Sequence, residues 1–330
     1  MKRIRKYALP IIIIILLTGL IAACGGGASK TSPMTDFITL IAKLAGLTFV
    51  LTSMLAMGLS LTVKQIVDPL RNTKVVLLAL LANFVLVPAL AYLITVVIPL
   101  DDLGTGLIIV GCAAGAPFLP KLVQLAKGSA AFSVGLMTLL MVATVIYLPI
   151  VLPLLLPGAS VSPWDIARSL IVTMLIPLGI GLFIKARYKE TAASLQPHMS
   201  QASSVAIVLM LVTILVLEFS TIIDTIGTGG ILAALIFLVG ALAIGLLLGG
   251  KDASMRSVMG LGTAQRNLAA AMLVAAQNFS DDANVLVMVM LVAILGLILL
   301  MMVGGEMGKR VQGNGDGTGT KAPDDQPASG

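Results

Sequence analysis

Two positive charges stand inside stretches that are otherwise apolar. Lys121 lies in GCAAGAPFLPKLVQLAKG (111–128), and Arg266 lies in GLGTAQRNLAAAM (260–272). A cation held at membrane depth is expensive, so each is a functional hypothesis by default. The chemistry on offer is a fixed charge that attracts an anion. Lys121 has a second reading, in which it snorkels to the interface marked by Lys127. Amide side chains accompany these cations: Asn83, Gln265 and Asn267. Helix breakers accompany them too. Pro117 and Pro120 cannot both sit in an unbroken helix, because each lacks a backbone donor and crowds the preceding turn. Gly115 loosens the turn before them, and Gly260 and Gly262 precede Arg266. Irregular backbone at membrane depth is tolerated only where it is buried in protein or lines a cavity. Two discontinuous helices are therefore expected, with breaks at Gly115–Pro120 and at Gly260–Gly262.

Enzyme chemistry finds no support. The chain has no close carboxylate pair, no His/Cys cluster, no Ser-His arrangement and no phosphate-binding loop. Its single histidine, His198, falls in a polar stretch and reads as a solvated loop residue. Its two cysteines, Cys24 and Cys112, have no metal-ligand neighbours and make no disulfide framework. No cofactor is expected, apart from sodium ions considered below.

The elements that must position these groups are membrane helices. Of 330 residues 58% are hydrophobic and only 11% are charged, and several apolar runs reach the roughly 20 residues needed to span a bilayer. The chain reads as an all-α polytopic membrane protein with about ten transmembrane segments. The net charge of +6 is scattered over short links, which argues for positive-inside topology rather than nucleic-acid binding. Basic residues alternate with acidic links such as Asp101-Asp102, placing both termini in the cytoplasm. Residues 1–24 form either a lipoprotein-like signal, with Cys24 as the lipidated residue, or a plain first transmembrane helix. The first alternative points to a multi-pass protein of a bacterial inner membrane. Residues 25–36 read as a polar linker, 37–156 and 157–303 as two sets of membrane helices, and 304–330 as a disordered cytoplasmic tail. Five segments per half invert the second half relative to the first. Interrupted segments at corresponding places in inverted halves point to a midplane binding site.

MGLSLT, LLANFVLVPALAYL, GCAAGAPFLPKLVQLAKGSAAFSVGLMT and GLGTAQRNLAAAMLVAA together resemble the bile acid:sodium symporter family, over about residues 50–303. The resemblance implies two inverted five-helix repeats. A core domain would hold two crossing discontinuous helices, and a panel domain would move against it. It also implies a small organic anion as substrate, usually driven by sodium. The family's third-helix amide corresponds to Asn83, and its fifth-helix serine is kept as Ser133. Its Ser-Asn pair falls on Leu119 and Pro120, its fifth-helix threonine becomes Met137 beside Thr138, its ninth-helix carboxylate falls on Gly260, and the amide-rich stretch after it becomes Thr263-Ala264-Gln265-Arg266-Asn267. A sodium site, if kept, would lie near Asn83, Ser133 and Gln265. Lys121 and Arg266 suggest instead that a fixed cation replaces the ion. Three readings follow: an organic-anion carrier with a degenerate sodium site, an ordinary sodium symporter, or a non-transporting receptor or scaffold.

Overall fold

The computed structural model describes residues 33–62, 64, 71–156, 163–217, 223, 227–279 and 282–316. The N-terminal segment with Cys24, and the acids Glu218, Asp224 and Asp281, lie outside them. Among the described residues all regular structure is helical. Helices α1 (Pro33–Ser60) and α2 (Thr73–Val97) come first. The first broken segment follows as α3 (Asp102–Cys112) and α4 (Leu119–Leu125). Next come α5 (Ala130–Leu155), α6 (Pro163–Arg187), α7 (Lys189–Leu217) and α8 (Gly230–Leu248). The second broken segment is α9 (Ala253–Ala264) and α10 (Leu268–Asn278), and α11 (Ala283–Asp316) closes the described chain.

Six of these helices are long and apolar enough to cross a membrane. Several helix starts are set by local chemistry. Asn72, Ser129, Asp252 and Asn267 each accept a backbone N–H from the first turn of α2, α5, α9 and α10, satisfying donors that no helix can pair internally. Large apolar side chains such as Leu154, Phe183 and Leu247 point outward, 73%, 66% and 82% exposed. Surfaces of this kind are what lipid covers.

Two groups of helices are distinguished by what they touch. Helix α1 packs along α6 and α7. Gly58 of α1 faces Gly181 of α6 so closely that a methyl group on Gly181 would lie 2.8 Å from Gly58 Cα. The remaining helices surround the two broken segments, with α3 against α11 and α8 against α9. Gly181→Ala must push α6 off α1, at a cost of about 2 kcal/mol for overpacking. A melting midpoint in detergent lowered by several degrees is the expected result.

Three expectations are corrected. The second break does not fall at Gly260 and Gly262, which are both inside α9. Gly260 instead permits close packing: a methyl on Gly245 of α8 would lie 2.8 Å from its Cα. His198 lies on α7, not in a loop, with Nδ1 2.8 Å from the Ser194 carbonyl. The polar start of α7 is helical because Ala192 and Met199 bury themselves against Ala56 and Leu59 of α1. Helix α11 also continues past Gly304 to Asp316. Gly308 there lets its backbone lie against Leu125, and Glu306 pairs with Arg310 at 3.1 Å.

Asp282 accepts the Asn284 N–H at 3.0 Å just before α11. Burial, and then the nearby Asp102, raise its carboxyl above the usual range, while the backbone N–H groups oppose the shift. An acid with a raised folded-state pKa contributes stability that is present at low pH and lost as pH rises through that pKa. Asp282→Asn keeps the capping oxygen without the charge. It is expected to raise the melting midpoint at neutral pH and to leave it unchanged below the carboxylate range.

Candidate functional site

The first break is a short extended passage between α3 and α4. Gly115 takes φ +80°, a left-handed conformation that glycine adopts at no steric cost. Its α-hydrogen also sits against the backbone of α5, where a methyl would lie 2.6 Å from Met141 Cα. Pro117 lies within the passage. Pro120 belongs to the first turn of α4, where a missing N–H costs nothing, so it starts the second half-helix and does not break the first. The second break is three residues long, Gln265-Arg266-Asn267.

The two breaks touch. Where α3 ends, its last carbonyls run short of helical donors, Val110 keeping the Ala113 N–H at 3.1 Å, and the second break supplies donors to them. The Asn267 N–H donates to the Ala113 carbonyl at 2.9 Å. Arg266 Nε donates to Val110 at 3.2 Å, and Nη2 donates to Gly111 at 2.6 Å. From the same guanidinium, Nη1 donates to the Thr263 carbonyl at 3.1 Å, at the end of α9, and to Asn83 Oδ1 at 2.8 Å. Arg266 is only 2% exposed and has no carboxylate partner among the described residues. Its counter-charge is the negative ends of two helices, α3 and α9, converging on one plane of donors. These bonds occupy four of its five N–H groups.

Asn83 belongs to this cluster because of a defect in α2. Pro88 has no N–H to give to the Phe84 carbonyl four residues back, and the helix widens into a π turn over Ala82–Leu86. Within that turn Asn83 is fully buried. Its Nδ2 donates to Ala79 at 3.0 Å and to Thr263 Oγ1 at 3.4 Å.

Of the residues singled out from sequence, Asn83, Thr263, Arg266 and Asn267 thus meet where the two breaks touch. Asn267 caps α10 through Oδ1 and leaves Nδ2 buried without a partner, as is Gln265 Oε1 beside it. Ser133 and Thr138 are not brought in. Their hydroxyls donate to Ala130 at 2.7 Å and Val134 at 2.9 Å, within α5. Lys121 is exposed, with Nζ 5.8 Å from the centre of the Phe118 ring. Sequence reasoning missed Thr144 and Tyr147 of α5, which bond to Ala114 and Phe84. Pro88 was the available signal, since it strands the Phe84 carbonyl and so demands a donor from elsewhere.

A cavity of about 720 Å³ opens beside the two breaks, with α1 and α7 on its other side. Among the described residues Lys121, Gln265 and Arg266 line it, with Ser53, Gln196 and Ser203 opposite, and no acidic side chain does. Methionines 57, 137 and 272 cover its apolar faces. Among the described residues no group of three or more His, Cys, Asp or Glu is placed to hold a metal ion.

A model of the sodium bile acid symporter family matches residues 46–225. That stretch begins within α1, includes α2 to α7 and the first break, and ends before the second. Among curated proteins, the chain is 27% identical over 161 residues to YocS of Bacillus subtilis (strain 168), described as an uncharacterized sodium-dependent transporter, covering 47% of this chain and 49% of that protein. It is 28% identical over 196 residues to BASS3 of Arabidopsis thaliana, a probable chloroplastic sodium/metabolite cotransporter, covering 58% of this chain and 45% of that protein. The chain therefore spans about half the length of the curated relatives it matches.

Proposed function

The chain belongs to the sodium bile acid symporter family, and on that premise we propose that it is a secondary carrier of small organic anions. The observation that carries this reading is the cavity beside the two helix breaks, with two cations and, among the described residues, no acid on its wall. A cavity with that lining attracts an anion and repels cations, and its volume is in the range of small-molecule sites. The carrier would work by alternating access, with α1, α6 and α7 as the group that moves against the broken helices.

The reading extends to coupling. A sodium ion needs several oxygen ligands. In this chain the helix-end carbonyls and the Asn83 amide that could supply them are spent on the Arg266 guanidinium. Arg266 then does permanently what a bound ion would do transiently. It neutralises two converging helix ends and presents positive charge to the cavity. Sodium coupling of the kind named for the relatives is not required of such a site, where Gln265 Oε1 is a buried side-chain oxygen without a partner.

Uptake of labelled taurocholate and of small carboxylates into proteoliposomes, with sodium or potassium gradients, tests both parts. Accumulation of an anion that is indifferent to sodium is the expected result. Accumulation driven by sodium would restore ordinary symport. Absence of uptake for every anion would favour a receptor or scaffold.

A further inference from the structure

Both irregular segments that build the Arg266 cradle are held from one face of one helix. Thr144 and Tyr147 lie three residues apart on α5, so they project from the same side. Thr144 is fully buried. Its hydroxyl accepts the Ala114 N–H at 3.0 Å and donates to the Ala114 carbonyl at 3.0 Å. One side chain thus satisfies both backbone groups of a residue that has left α3 and has no helical partner. The Tyr147 hydroxyl donates to the Phe84 carbonyl at 2.6 Å. That carbonyl is the acceptor stranded by Pro88, within the π turn that aims Asn83 at Arg266. The two rings also stack at a tilt, with centres 4.8 Å apart.

We propose that Thr144 and Tyr147 are positioning residues: together they fix the Ala114 passage and the π turn of α2, and so hold open the cradle of carbonyls and amide that Arg266 occupies. Neither touches the guanidinium. Thr144 acts through Ala114, whose neighbours Gly111 and Ala113 accept from Arg266 and Asn267. Tyr147 acts through the turn carrying Asn83. A buried backbone group costs free energy when left unpaired, so deleting either hydroxyl favours a relaxed backbone over the one that faces Arg266.

Its role in uptake rests on the anion-carrier reading, but its geometry is testable without transport. Cys112 is fully buried at the end of α3, between Gly111 and the clamped passage. Its labelling by a membrane-permeant maleimide, located by peptide mass, reports local opening of the cradle. A cysteine introduced as Ala192→Cys, in the separate cluster between α1 and α7, reports general loosening. Thr144→Val and Tyr147→Phe are each expected to speed Cys112 labelling roughly tenfold, while Ala192→Cys labels at its unchanged rate. Thr144→Ser keeps the hydroxyl and is expected to behave as wild type. Uptake should fall in the same order. Unchanged Cys112 labelling in Thr144→Val and Tyr147→Phe would overturn the proposal, as would equal acceleration at both cysteines. If no anion is carried even by wild type but the labelling pattern holds, the carrier reading fails and the positioning role stands.

Discussion

Arg266→Ala is expected to abolish uptake and to destabilise the protein by about 3 kcal/mol. Two effects oppose each other. Four acceptors lose charge-assisted bonds worth roughly 1.5–3 kcal/mol each. Against this, the chain no longer buries a cation without a carboxylate partner, which removes a penalty of several kcal/mol. Water entering the vacated polar space softens the loss further. Arg266→Lys keeps the charge but not the planar fork, and a point charge cannot reach carbonyls of α3 and α9 and an amide of α2 at once. It should recover part of the stability and little of the uptake. Guanidinium added to Arg266→Ala below denaturing concentrations should refill the cradle and restore part of both. Wild-type uptake by correctly inserted Arg266→Ala would remove Arg266 from the mechanism.

Gly115→Ala is expected to prevent accumulation of folded protein. The added methyl would lie 2.6 Å from Met141 Cα and meets the Met141 backbone nitrogen closer still. Backbone on a long helix cannot yield as a flexible side chain does. The left-handed φ of +80° adds about 1–2 kcal/mol for any residue with a β-carbon. Relief requires the passage to swing away from α5, which breaks both Thr144 bonds to Ala114. Size-exclusion of the detergent-solubilised variant should show aggregate in place of a monodisperse peak. A monodisperse variant with wild-type uptake would mean that the first break tolerates another backbone course.

Much of this was legible in the sequence because proline, glycine and buried charge act locally. The first break was placed by Gly115 and Pro117, and Arg266 was singled out because an intramembrane cation demands a reason. The second break was misplaced onto Gly260 and Gly262, since a glycine that permits two helices to touch cannot be told from one that ends a helix without knowing its neighbour. Pro120 was read as a breaker for a related cause: proline is equally at home in a first helical turn. The helical start of α7 escaped because its polar sequence has no apolar stripe of its own and depends on α1 for burial. Ser133 and Thr138 were chosen by resemblance, and their hydroxyls are instead bonded within α5. Thr144 and Tyr147 were overlooked because their partners are backbone groups far away in sequence, which no motif records.

The central claim is that the Arg266 guanidinium holds the place of a transported ion's charge. It is tested most directly by the melting midpoint of purified wild-type protein as sodium replaces potassium at constant ionic strength. An ion that binds only the folded state raises that midpoint with its concentration, and constant ionic strength removes general screening. The predicted result is the same midpoint in both salts at every ratio. A saturable rise specific to sodium would contradict the account, because the ion would then have a site that Arg266 has not taken.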